Sequence, residues 1–131
     1  MKLYFIRHGI AEVFADSDYE RELTLEGKIK LNDTFREFAK IFNEKDFVVY
    51  SSPLVRAEQT AEILCNKLDV EFEIKDILAG FTLEDLKNEF KKENCEAYIL
   101  VTHEPYISGV IHEQTGKYEN ISRGSIHILE I

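Results

Sequence analysis

The chain has 131 residues, enough for one domain that buries a core without metal or disulfide staples. Its apolar fraction of 44% and charged fraction of 31% are those of a folded globular protein and argue against disorder. A formal net charge of −9 repels nucleic acid and anionic lipid, so neither is expected as a main partner, and any small anion must be held by basic residues gathered locally.

The elements follow in chain order. "KLYFI" reads as a buried strand that runs into Arg7, His8 and Gly9. "LTLEGKIKLNDTFREFAKIFN" places Leu25, Ile29, Phe35, Phe38 and Phe42 near helical spacing, with Thr24 as N-cap and Gly27 as a weak point in the first turn. "DFVVYSS" is a second strand, rich in β-branched and aromatic residues. "PLVRAEQTAEILCNKL" reads as a helix opened by Pro53, with Ala57, Ala61, Leu64 and Leu68 on one side. "VEFEI" alternates as an edge strand, and "LEDLKNEFKKE" is a charged amphipathic helix. "AYILVT" is a buried strand, "PYISGVIHEQT" a helix opened by Pro105, and "SIHILEI" a final alternating strand. No linker, repeat or low-complexity tract interrupts the pattern, so residues 1–131 read as a single domain.

Cys65 and Cys95 are far apart, fall in helical-looking segments and read as reduced thiols. No apolar run reaches membrane-spanning length, and "MKLYFI" lacks the features of a signal peptide. A cytoplasmic location is expected.

Alternating strands and helices imply a mainly parallel sheet covered on both faces, a three-layer α/β/α arrangement. Ligands of such sheets bind beyond the carboxyl ends of the strands. Three stretches, "RHG" at 7–9, "SSPLVRAEQTA" at 51–61 and "VTHEP" at 101–105, each begin where a strand should stop. Together they bring Arg7, His8, Arg56 and His103 to one edge, with two helix N-termini close by. Guanidinium forks and helix starts both suit phosphate oxygens. The four histidines, His8, His103, His112 and His127, show neither HxH nor HExxH spacing, so no metal is expected. No other cofactor is called for.

These stretches resemble the histidine phosphatase superfamily, which includes phosphoglycerate mutases and acid phosphatases. "RHG" resembles its nucleophile motif, "SSPLVRAEQTA" its serine-proline and arginine-alanine-x-glutamine-threonine motif, and "VTHEP" its second-histidine motif. "RHGIAEVFADSDYERELTLEG" is further similar to the short SixA-type phosphohistidine phosphatases. The resemblance runs from Lys2 to about Gly109. It implies a phosphoglycerate mutase-like fold in which His8 becomes phosphorylated and Arg7, Arg56 and His103 complete the phosphate pocket. It also implies a phosphate or substrate contact from Arg21.

In that mechanism Gly9 is expected to let the chain turn sharply, expose the His8 ring and take part in binding phosphate. A hydrogen bond from one ring nitrogen to a backbone carbonyl would fix the tautomer. Larger relatives carry a proton-donating acid on an insertion that also covers the pocket. Here only "IKDILAGFTLEDL" lies between the third strand and the next helix, so no lid is expected. Asp76 and Glu104 are the weak candidates for the acid. A protonated imidazole leaves phosphorus readily, and an open pocket admits a side chain on a folded protein. Both features favour phosphohistidine in a protein substrate. The alternatives are a small-molecule phosphomonoesterase of the same superfamily and a phosphate- or phosphoprotein-binding module without catalysis.

Overall fold

The computed structural model describes residues 1–131. Five strands, β1 (Lys2–Arg7), β2 (Phe47–Ser51), β3 (Glu73–Ile74), β4 (Ala97–Thr102) and β5 (Ile126–Glu130), form one sheet in the order β3-β2-β4-β1-β5. β1, β2, β3 and β4 run parallel, and β5 pairs antiparallel with β1. The sheet is therefore mainly parallel, as its apolar unbroken strands require. Ala97–Thr102 is buried along its whole length because it lies at the centre.

Alternation along the strands feeds two cores. Tyr4 and Ile6 of β1, with Ile99 and Val101 of β4, pack under helices α1 (Leu25–Ile41) and α2 (Val55–Leu68). Leu3 and Phe5, with Tyr98 and Leu100, pack under α3 (Leu83–Phe90) and α4 (Tyr106–Thr115). This is the expected three-layer α/β/α architecture. A 3-10 turn at Asp76–Ala79 is the only helical structure between β3 and α3, so the segment carries no lid. No helix is long and apolar enough to cross a membrane.

Four local expectations change. α1 is capped by Thr24, whose Oγ1 accepts from Gly27 N–H at 2.9 Å, but its buried face is Gly27, Leu31, Phe35 and Phe38. Leu25 and Ile29 face solvent. α2 begins at Val55, two residues after Pro53, because the Leu54 N–H turns back to Ser52 Oγ at 3.2 Å and Leu54 stays extended. The third strand shrinks to two residues at the sheet edge, where it pairs only with β2. Cys95 lies in the loop after α3 and not in a helix, whereas Cys65 is buried in α2; both thiols are free.

Candidate active site

Strand order explains why three distant segments meet. β4 lies between β2 and β1, with Arg7 beside Thr102 and Ser51 beside Val101. Just past these ends, His8 N–H donates to Thr102 O at 3.1 Å and Ser52 N–H to Val101 O at 2.9 Å. The carboxyl ends thus deliver Arg7-His8, Ser52 and His103 side by side. Arg56 reaches them from the first turn of α2. A hollow of about 250 Å³ is lined by Arg7, His8, Ala11, Arg21, Arg56, His103, Glu104 and Arg123.

His8 is only 7% exposed, so its ring is enclosed in the wall and not set out in solvent as anticipated. Its Nδ1 lies 2.8 Å from Gly9 O. A carbonyl accepts only, so Nδ1 carries the proton and Nε2 keeps a lone pair. Arg56 Nε donates to that Nε2 at 3.3 Å, and the His103 ring lies 5.0 Å away, centroid to centroid. Burial lowers the His8 pKa to about 4. The Gly9 carbonyl works against this, while Arg56, Arg7 and Arg21 add to it. Burial, together with His8 and Arg56, lowers His103 to about 3. Both rings are neutral near pH 7.

Gly9 acts differently from expectation. Its φ is not positive, so no left-handed turn requires glycine here. Space does: a Cβ would meet Leu31 Cδ1 at 2.6 Å. Its N–H donates to Thr60 Oγ1 at 3.1 Å. One N–H at each helix start is also taken. Val55 N–H donates to Tyr19 O at 3.1 Å, and Ser108 N–H to Glu104 Oε1 at 2.7 Å.

Arg56 is almost fully buried and is held by Asp18, through the backbone oxygen at 2.8 Å and Oδ2 at 3.3 Å. Asp18 Oδ1 also accepts from Arg21 Nη1 at 2.9 Å, and Glu12 O from Arg21 Nε at 2.7 Å. Burial works to raise the Asp18 pKa, but Arg56 and Arg21 more than offset it and hold the carboxyl below its usual range. Arg7 Nη1 donates to Ile121 O at 2.7 Å, while Arg7 Nε and His103 Nδ1 are buried without a protein partner. Leaving such groups unpaired costs about 1–3 kcal/mol each. His103 Nε2 lies 2.7 Å from Ser52 Oγ.

Of the two carboxylic acid candidates, Glu104 lines the hollow, whereas Asp76 is exposed at the start of the 3-10 turn and is not part of the lining. Asp76 forms the first residue of that turn, as expected of a turn residue. No cluster of three or more His, Cys, Asp or Glu side chains forms a metal site. His127 instead pairs with Glu119 and Ser125, and His112 stacks on Tyr118.

Arg123 was not anticipated. A signal exists in the topology: an antiparallel last strand begins at the edge where its parallel neighbours finish. The residues just before β5 therefore reach the same hollow, and Gly124 N–H donates to Arg7 O at 2.9 Å. Ser52 and Thr60 were visible as residues of the second motif, but their partners could be assigned only once the chain was folded.

Comparison with known proteins gives the family and the fold. The sequence profile of the histidine phosphatase superfamily (branch 1) matches residues 3–98. The chain belongs to that superfamily and is a phosphoryl-group hydrolase. It is 30% identical over 135 residues to a phosphohistidine phosphatase SixA homolog of Haemophilus influenzae, covering 93% of this chain and 82% of that one. In fold it is similar to the protein histidine phosphatase SixA in complex with tungstate, at a TM-score of 0.85 and 22% identity over 100% of this chain and 88% of the other. It is also similar to phosphoglycerate mutase from Bacillus anthracis, at a TM-score of 0.69 and 15% identity over 98% of this chain and 86% of the other.

Proposed function

We propose that this chain is a cytoplasmic phosphohistidine phosphatase acting on a histidine-phosphorylated protein. The observation that carries the reading is the Nδ1–H to Gly9 O bond of 2.8 Å. It leaves the Nε2 lone pair of a neutral imidazole in the wall of an arginine-lined hollow. Arg56 Nε gives up its contact with Nε2 as the phosphoryl group arrives. The Nε2 lone pair then forms a bond to phosphorus while the bond to the substrate imidazole breaks. The substrate ring, protonated on its other nitrogen, leaves with that electron pair as a neutral imidazole. Arg7, Arg56 and His103 face the charge on the equatorial oxygens, and Arg21 and Arg123 extend the cradle. Water next attacks phosphorus in phospho-His8 and releases inorganic phosphate, restoring the free ring.

The absence of a lid and the presence of one lining carboxylate, Glu104, support a substrate whose leaving group needs little acid assistance. Glu104 is the proton donor that this geometry favours over Asp76. The two free thiols fit a reducing compartment.

The test incubates the chain with a ³²P-phosphohistidine protein and looks for acid-labile label on His8, with His8→Ala as control. Label on His8 and faster turnover of the phosphohistidine protein than of 3-phosphoglycerate are expected. Faster turnover of the sugar phosphate overturns the substrate assignment, and turnover without label on His8 overturns the mechanism.

A further inference from the structure

The loop from Glu12 to Glu20 leaves the hollow at Ala11 and returns to it at Arg21, both of which line it. Its backbone is tied down at several points. Glu12 N–H donates to Glu22 O at 2.8 Å, Glu20 N–H to Ser17 O at 3.2 Å, and Val55 N–H to Tyr19 O at 3.1 Å. Arg56 holds Asp18 O at 2.8 Å, and Arg21 holds Glu12 O at 2.7 Å.

Between these ties the loop directs apolar side chains into water. Phe14 is 89% exposed, Val13 77% and Tyr19 51%. One such residue alone is ordinary; three on a loop whose two ends both border the hollow put apolar surface at its edge. The same loop exposes Glu12, Asp16 and Glu20, none of which forms an ion pair. Moving outward, the surface changes from the cationic hollow to an apolar rim with carboxylates beside it.

We propose that this loop is the docking surface for the protein that carries the phosphohistidine. The matching face of that partner is apolar opposite Val13 and Phe14, with lysine or arginine side chains opposite Glu12, Asp16 and Glu20. The proposal rests on the function proposed above and assigns its protein specificity to this loop. Other occupants fit less well. Anionic lipid meets three uncompensated carboxylates, and a second copy docked through a two-fold axis would set the acidic loops against each other.

The experiment compares wild type with two variants, Val13→Ser combined with Phe14→Ser, and Glu12→Gln combined with Asp16→Asn and Glu20→Gln. Two substrates are used, a phosphorelay domain charged on its histidine and free phosphohistidine. The apolar variant should lose about tenfold in kcat/KM on the protein, chiefly through KM, and stay within about twofold on free phosphohistidine. The charge variant should weaken the salt dependence of kcat/KM on the protein alone. Equal losses on both substrates, or no loss on the protein, overturn the docking surface while leaving the reading of the hollow intact. A wild-type dimer that the apolar variant dissociates in sedimentation gives the loop to a second copy and likewise overturns it. Failure of wild type to take label on His8 from either donor removes the functional reading and the docking surface with it.

Discussion

Burial lowers the His8 ring to about 4 and the His103 ring to about 3, against 6.5 for an unperturbed imidazole. A depressed histidine pKa means that the folded chain keeps the neutral ring while the unfolded chain takes up a proton below about 6.5. The associated stability is present above pH 6.5 and is lost as pH falls towards the folded values. For His8 the loss is on the order of 3 kcal/mol, nearly complete by about pH 4. His8→Asn keeps an amide donor for Gly9 O but cannot titrate. Urea unfolding of both proteins between about pH 7 and about pH 4 should show the wild type's advantage over the variant shrinking by that order. Parallel curves would mean that the ring titrates as it does in the unfolded chain. Arg7, His8, Arg56 and His103 were legible in the sequence because each stands in a motif at the end of an apolar run. Asp18 was not, because a carboxylate on a polar loop carries no periodic signal and its meaning depends on Arg56 and Arg21 arriving from elsewhere. Asp76 stands near a strand end in chain order, but that strand is the short edge strand and the adjoining turn is exposed.

At the scale of the element, α1 shows where periodicity stops deciding. Two apolar tracks interleave in its first turns: Leu25 with Ile29, and Gly27 with Leu31, leading on to Phe35 and Phe38. They are offset by about half a turn, and either satisfies helical spacing. What selects the second track is a backbone contact the sequence does not display. A Cβ at position 27 would lie 2.5 Å from Ile10 O, the same oxygen that accepts from Thr24 N–H at 2.9 Å. Gly27 is therefore the point where α1 seats on the loop that follows His8, and not merely a weak link in the helix. On propensity alone, Gly27→Ala should stabilise the helix by about 1 kcal/mol. Because the obstructing atom is backbone, the expected outcome has the opposite sign, a net loss of about 1–3 kcal/mol. Denaturant melts decide it. A stabilised variant would show that the Gly9–Ile10 turn yields freely, and His8 would then be less rigidly seated than its hydrogen bonds indicate. Strand identity was easier to read than helix face, because β1, β2 and β4 are dense apolar runs that tolerate no alternative register in a sheet covered on both sides.

For the whole molecule, two fields of opposite sign act on an approaching phosphate. The net charge of −9 repels it at long range, while Arg7, Arg21, Arg56 and Arg123 attract it inside the hollow. Salt acts on these unequally. Raising ionic strength from about 0.01 M to about 0.15 M shortens the Debye length from about 30 Å to about 8 Å, which screens the molecular repulsion more than attraction between enclosed groups. Arg56, only 8% exposed and backed by Asp18, is sheltered from that screening, whereas Arg123 is exposed. The two effects oppose each other, so the affinity for inorganic phosphate, measured by calorimetry over that range, should change by less than about threefold. A protein substrate that presents cations to the acidic loop has no such cancellation and should lose affinity steadily with salt. A phosphate affinity that falls about tenfold or more over the same range would assign binding to the exposed cations at the rim, in place of the buried Arg56 and its neighbours at His8.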